Sequence, residues 1–171
     1  VDEVRRLRQY GYEPGGRHWS HQIGTNSRLD EVHAAWLRVR LAKHRARLEA
    51  RTQIASWYAD AIDAADADGI VCRPRPVQGE HPAWYHYVVT VSANRDVVRN
   101  VMQMFGVETA VSYEFLPAQM QPWRYGYVAG QCPFAEGLAG SMLALPLWIG
   151  MSQHHVEEVV AALISSARQA G

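Results

Sequence analysis

The stretch Gly24-Thr25-Asn26-Ser27-Arg28-Leu29-Asp30-Glu31-Val32-His33-Ala34-Ala35 opens the longest periodic segment of the chain. From Val32 and Ala35 the apolar positions run on through Trp36, Val39, Ala42, Ala46, Ala50, Ile54 and Trp57, three or four residues apart. That spacing predicts one stripe along a helix of roughly 35 residues, because side chains at such intervals lie one above another. Trp36 and Trp57 therefore read as core. Leu37, Leu41 and Leu48 fall on the opposite side, so the first half is expected to be buried twice, as a helix trapped between a core and another subunit or domain. Just ahead of the helix, residues 24–28 bring backbone N–H groups, an amide and a guanidinium to a helix start, a competent anion site. They also have a plain structural reading, in which Asn26 or Ser27 caps the helix and Arg28 pairs with Asp30 or Glu31.

Upstream, Val1, Val4 and Leu7 stand at helical spacing, and the segment reads as a helix cut from a larger chain. Gly11, Pro14, Gly15 and Gly16 break the pattern and lead into a loop from His18 to Thr25. Downstream, residues 63–69 end the long helix and residues 70–73 are expected as a short strand. A Pro-rich connection, CRPRPVQGEHP, leads to the stronger strand WYHYVVTV at residues 84–91. Asn94 is placed to cap a helix from about residue 95 to 105, with Gly106 at its C′ position. Residues 107–112 then return as a strand, 113–132 form a long irregular segment, and 134–142 a short helix. LALPL is extended, and Ser152 caps a last helix carrying Val156, Val159, Val160, Leu163 and Ile164. The expected class is α+β, a long helix leading into a small layer of sheet and helices.

Seventeen basic side chains balance seventeen acidic ones, which leaves no global field to draw the protein to nucleic acid or an anionic membrane. The basic side chains from Arg38 to Arg51 read as a solvated helix flank. Two distant cysteines, Cys72 and Cys132, make neither a disulfide framework nor a zinc knuckle, and a reducing cytoplasm is the expected compartment. No apolar run reaches the roughly 20 residues that span a bilayer.

The chain has one lysine, Lys43, set among the apolar positions of the long helix and read as a side chain reaching out to water. Eight histidines raise the question of a metal, but His154 and His155 are helix neighbours pointing about 100° apart, and no ligand set has the usual spacing. No phosphate-loop, dinucleotide-binding or nucleophile-elbow motif occurs. The segment LPAQMQPWRYGY, residues 116–127, gathers amides, aromatic faces and Arg124, and reads equally as the wall of a polar-ring pocket or as a packed surface loop.

Taken in order, LRQYG from Leu7, GTNSRLDEVHAA from Gly24, then Arg51, Ala55 and Tyr58, WYHYVV with His86, Tyr113 with PAQMQP from Pro117, PFAE from Pro133 and LPL from Leu145 resemble the last part of the DegT/StrS sugar aminotransferases. The resemblance implies the carboxy-terminal portion of a fold type I enzyme dependent on pyridoxal phosphate (α/β as a whole). It divides the chain into the end of the large cofactor domain with an interface loop (1–28), a connecting helix (29–66) and a small α+β domain (67–171). It implies amino transfer from glutamate to a keto carbon of a nucleotide-activated deoxysugar, by a homodimer whose sites are shared across the interface. On this resemblance Asn26 hydrogen-bonds the cofactor phosphate and Arg28 lies near the cofactor or the substrate diphosphate, while Tyr113, Gln119, Gln121 and Tyr125 face the sugar. Gln119 stands where the family pattern has histidine, so a proton-transfer role there is in doubt. The lysine that holds the cofactor precedes this region in the family. The chain by itself is accordingly expected to be inactive, needing a lysine-bearing amino-terminal half, and no catalytic residue is assigned to it. A non-catalytic dimerisation or sugar-nucleotide-binding module derived from the family is the alternative.

Overall fold

A computed structural model describes residues 1–12, 19, 20, 22–66, 68–120 and 126–171. The chain forms two compact units, Val1–Arg45 and Ala46–Gly171.

In the first unit, α1 (Asp2–Leu7) is followed by a chain reversal, and α2 (Glu31–Ala42) ends the unit. Asp30, and neither Asn26 nor Ser27, is the N-cap of α2: its side chain accepts from the His33 N–H at 2.8 Å. The physical reason is geometric, since the capping oxygen must sit about three residues before the donor it satisfies. The expected continuous helix is interrupted. Lys43 ends α2, its N–H turning back to the Arg40 carbonyl, and α3 (His44–Ala65) starts one residue later. Lys43 is exposed, as read from the sequence.

Taken by itself, the chain buries neither face of α2. None of its residues is buried, Trp36 is 54% exposed, and Val32, Leu37, Val39 and Leu41 are exposed as well. Apolar spacing reports which face a helix can bury, and it carries no information on which chain covers that face. The Arg40 guanidinium lies over the Trp36 ring at 4.7 Å, an exposed cation–π contact rather than a core one. Trp57, on α3, is half-buried against the core of the second unit.

The second unit is built on a three-stranded antiparallel sheet of order β1-β2-β3, formed by β1 (Val71–Cys72), β2 (Tyr87–Val91) and β3 (Met142–Leu145). Tyr87 pairs with Leu145 and Val89 with Leu143, so alternate residues of β2 enter the core while Val88 and Thr90 are only half-buried. The strand expected at 107–112 is reduced to a single bridge, Ala110 to Ala144, on the other side of β3. Two reciprocal backbone bonds of 2.8 and 3.1 Å make that bridge.

Helix α4 (Arg95–Met104) is capped by Asn94, and Gly106 follows with φ of +79°, a backbone that glycine adopts without strain. It packs against α6 (Gln153–Ala170), whose cap is Ser152. Between them in sequence lies α5 (Pro133–Ser141), which runs straight into β3. Tyr58, Ile62, Tyr87, Val89, Val98, Met102, Leu143, Val156 and Leu163 form one continuous core. Among the described residues no helix is long and apolar enough to cross a membrane.

Candidate functional site

The two loops singled out by sequence lie in different units, Asn26 and Arg28 in the first, Tyr113 and Gln119 in the second. Gln121 and Tyr125, together with His18, His21 and Arg124, lie outside the described residues.

Two glycines build the first loop. A Cβ on Gly24 would meet the Gly11 nitrogen and stand 2.6 Å from the Leu7 carbonyl oxygen, so the two backbones approach as only glycine allows. Gly11 itself has φ of +74°, with the Gln22 carbonyl in the place of a side chain. Around this contact the Thr25 N–H donates to the Leu7 carbonyl at 2.8 Å and the Ser27 N–H to that of Arg8 at 2.9 Å, while Gln9 and Asn26 form an antiparallel bridge. The end of α1 thus fixes the backbone on both sides of Asn26. Arg28 Nε donates to Asn26 Oδ1 at 3.0 Å, so Arg28 does not pair with Asp30 or Glu31 as the plain reading expected. Asp30 is engaged elsewhere: the His33 N–H and the His33 ring at 2.6 Å hold its carboxyl below the usual aspartate range.

This pair suits a phosphate. With Arg28 Nε turned onto the Asn26 oxygen, the pair keeps the Asn26 amide N–H groups and the terminal guanidinium N–H groups, and both side chains are exposed. An amide donor and a planar cation complement phosphate oxygens. The amine that a carbonyl cofactor requires has no counterpart in this loop. Lys43, the sole lysine, stands at the junction of α2 and α3.

In the second unit the irregular segment begins with Tyr113, 66% exposed. A single 3-10 turn, Pro117–Gln119, follows, and the Gln119 Oε1 accepts from the Leu116 N–H at 2.8 Å. The far end of the segment is gathered by a residue that sequence reading quoted in a motif but gave no role. Glu136, in the first turn of α5, accepts from the Tyr127 hydroxyl at 2.6 Å, the Cys132 N–H at 3.1 Å and, through both oxygens, the Gly130 N–H at 3.0 Å. The available signal was a carboxylate just inside a helix start marked by Pro133, where the helix dipole favours negative charge. That carboxylate is held below its ordinary range by the Tyr127 bond first, and the Tyr127 phenol is pushed up to about 12 by the same bond.

His86 belongs to the second unit. It lines a groove of roughly 1000 Å³ floored by Leu145, Leu147 and Trp148, and its ring meets Tyr85 edge-on at 4.4 Å. His155 serves the cap of α6, its Nδ1 2.9 Å from Ser152 Oγ, and His154 stands 3.6 Å from Glu158. Among the described residues no three His, Cys, Asp or Glu side chains gather as a metal site.

Residues 1–164 match the model of the DegT/DnrJ/EryC1/StrS aminotransferase family. The chain is 32% identical over 170 residues to the erythromycin biosynthesis sensory transduction protein EryC1 of Saccharopolyspora erythraea, covering 98% of this chain and 44% of that protein. It is 30% identical over 166 residues to a dTDP-3-amino-3,4,6-trideoxy-alpha-D-glucose transaminase of Streptomyces venezuelae, covering 95% of this chain and 42% of that one. In three dimensions it is similar to S. venezuelae DesV, with a TM-score of 0.85 and 27% identity, over 97% of this chain and 43% of that structure. The chain therefore spans less than half the length of the relatives it matches.

Proposed function

Because this chain belongs to the DegT/DnrJ/EryC1/StrS aminotransferase family, we propose that it forms the carboxy-terminal portion of an aminotransferase that moves an amino group from glutamate to a keto carbon of a nucleotide-activated deoxysugar. The observation that carries this reading is the Asn26–Arg28 pair, presented on a backbone fixed by Gly11 and Gly24. Pyridoxal phosphate, when bound, supplies the aldehyde that carries the amino group and the ring that takes up electron density. Asn26 and Arg28 hold its phosphate or the substrate diphosphate. Tyr113, Gln119, Gln121 and Tyr125 line the sugar side. Since Lys43 is the only lysine and lies outside this loop, the amine that engages the aldehyde comes from a lysine-bearing amino-terminal half, and this chain alone does not turn over.

On the same reading, residues 1–28 complete a cofactor domain, 29–66 connect, and 67–171 are the small domain of a cytoplasmic homodimer. The test is to combine the chain with a lysine-bearing half from a relative, add pyridoxal phosphate, and follow a yellow, borohydride-reducible cofactor and amine transfer to a nucleotide-linked keto sugar. Arg28→Met and Asn26→Ala each weaken cofactor retention about tenfold, the worth of one charge-assisted or amide hydrogen bond. A colourless mixture sinks the reading.

The exposed apolar residues of α2 favour a second reading, a non-catalytic module that pairs with itself or with a homologue. Sedimentation of the chain alone separates the two: a tight dimer that gains no cofactor from the added half supports the module.

A further inference from the structure

The groove of the second unit that His86 lines is walled by residues 105–110, the end of β3 with the residues after it, and α6. Along α6, Glu158, Ala162 and Ser165 follow at steps of four and three residues, so they share one helix face, and the short Ala162 leaves room in its middle. Across from them Leu147 and Trp148 are apolar, and Trp148 keeps 51% of its surface exposed. Its ring is flanked by that of His155 at 6.0 Å, and the Ser152 N–H donates to His155 Nδ1 at 3.2 Å, so the aromatic wall is fastened to the cap of α6. Among the described residues two carboxylates, Glu108 and Glu158, line the groove, and no lysine or arginine does. The Glu108 side chain has no hydrogen bond or ion pair among those residues, and the Glu158 carboxylate meets only the His154 ring, at 3.6 Å. Thr109, which also lines the groove, is 8% exposed, and its hydroxyl has no partner among the described residues. A buried hydroxyl is ordinarily paired, so this one marks a place where a partner has still to arrive.

We propose that this groove binds a small organic amine, a protonated ammonium carried on an apolar or aromatic body. Two carboxylates without a basic neighbour in the walls set a negative potential over an apolar floor, and a concave site focuses such a field. Carboxylates offer only acceptors and an ammonium only donors, so the two match in hydrogen bonding as well as in charge. The body lies against Leu147 and the Trp148 ring, whose face attracts a cation. A volume of roughly 1000 Å³ is that of a pocket for a small molecule. An anionic ligand is repelled by Glu108 and Glu158, so the groove has the opposite preference to the Asn26–Arg28 pair and does not depend on the role given to that pair.

The full chain, isotope-labelled for NMR, is titrated with phenylbutylamine at about pH 8, above the usual histidine range. The Trp148 indole N–H and the Ala161 and Ala162 amides are expected to shift saturably. Phenylbutanol, the same body without the charge, binds about tenfold more weakly, and phenylbutyrate more weakly still. Glu108 and Glu158 are exposed, so their replacement leaves the core intact, and an unmoved Val89 amide reports this. Glu108→Gln and Glu158→Gln each lower the affinity for the amine about threefold and leave that for the alcohol unchanged. The double variant removes the preference for the amine, and Ala162→Leu, which fills the groove, removes binding of both compounds. Equal affinities for amine and alcohol in the wild-type chain overturn the proposal, as does a preference that survives in the double variant or binding that survives in Ala162→Leu. No cofactor or sugar enters these titrations, so their failure leaves the family reading where it stands.

Discussion

The Tyr58 hydroxyl donates to the Pro146 carbonyl oxygen at 2.7 Å, joining α3 to the end of β3 across 88 positions of sequence. The Tyr58 ring also stacks on Tyr87 of β2 with centroids 4.7 Å apart, and Tyr87 on Trp84 at 5.6 Å. Tyr58 is fully buried, and burial pushes its phenol well above the ordinary tyrosine value. The bond to Pro146 offsets the cost of taking this hydroxyl out of water.

Tyr58→Phe keeps the stack and removes the bond, leaving the Pro146 carbonyl without this donor. The expected cost is about 1–2 kcal/mol, and Tyr58→Ala, which also opens a cavity, costs about 3–5 kcal/mol. Urea unfolding followed by tryptophan fluorescence measures both; equal midpoints for wild type and Tyr58→Phe contradict the assignment.

Gly24→Ala places a methyl group against the Gly11 nitrogen and the Leu7 carbonyl. These are backbone atoms and have no side-chain freedom with which to yield. The Thr25 and Ser27 amides, bonded to Leu7 and Arg8, are expected to exchange at least about tenfold faster, while core amides of the second unit such as Val89 keep their rates. Unchanged protection at Thr25 in this variant contradicts the tight approach.

The Asp30 cap carries a pH dependence of defined sign. Its carboxyl is held below the ordinary 3.8 by the His33 backbone bond first and the His33 ring second. A carboxyl depressed in the folded state contributes stability that is present above 3.8 and is lost as pH falls through the depressed value. The His33 amide shift, followed by NMR from neutral pH downward, is expected to hold until below pH 3.8 and then move toward its unbonded position. In Asp30→Asn the step disappears.

Arg95, at the start of α4, is buried to 7% exposure, and its Nη1 donates to the Ala139 carbonyl at 3.3 Å and the Met142 carbonyl at 3.4 Å. It therefore fastens the end of α5 and the start of β3 to α4, with Asp96 against its Nε. Arg95→Ala is expected to cost about 1–3 kcal/mol. Arg95→Lys restores little of it, because a single ammonium lacks the planar fork. Chemical denaturation of the three proteins ranks them.

Much of the second unit was legible in the sequence because its signals are local. Asn94 with Gly106, Ser152 with the apolar spacing after it, and the alternation at 87–91 each specify an element within about ten residues of chain. The strand at 107–112 was not, because one bridge to Ala144 leaves most of that stretch outside a ladder. The long helix failed at Lys43 for a related reason: periodicity runs unchanged across a one-residue break.

For the candidate site, sequence order alone determined the family, the presence of a basic residue two positions after Asn26, and the absence of a second lysine, since these are properties of covalent order. Which groups meet was decided only by tertiary structure. Gly11 against Gly24, Tyr58 against Pro146, and Glu136 against Tyr127 and Gly130 are contacts between segments whose separation in space depends on packing. Local propensity carries no term for such meetings, and a glycine, a buried phenol or a first-turn glutamate acquires its role from the neighbour the fold brings to it.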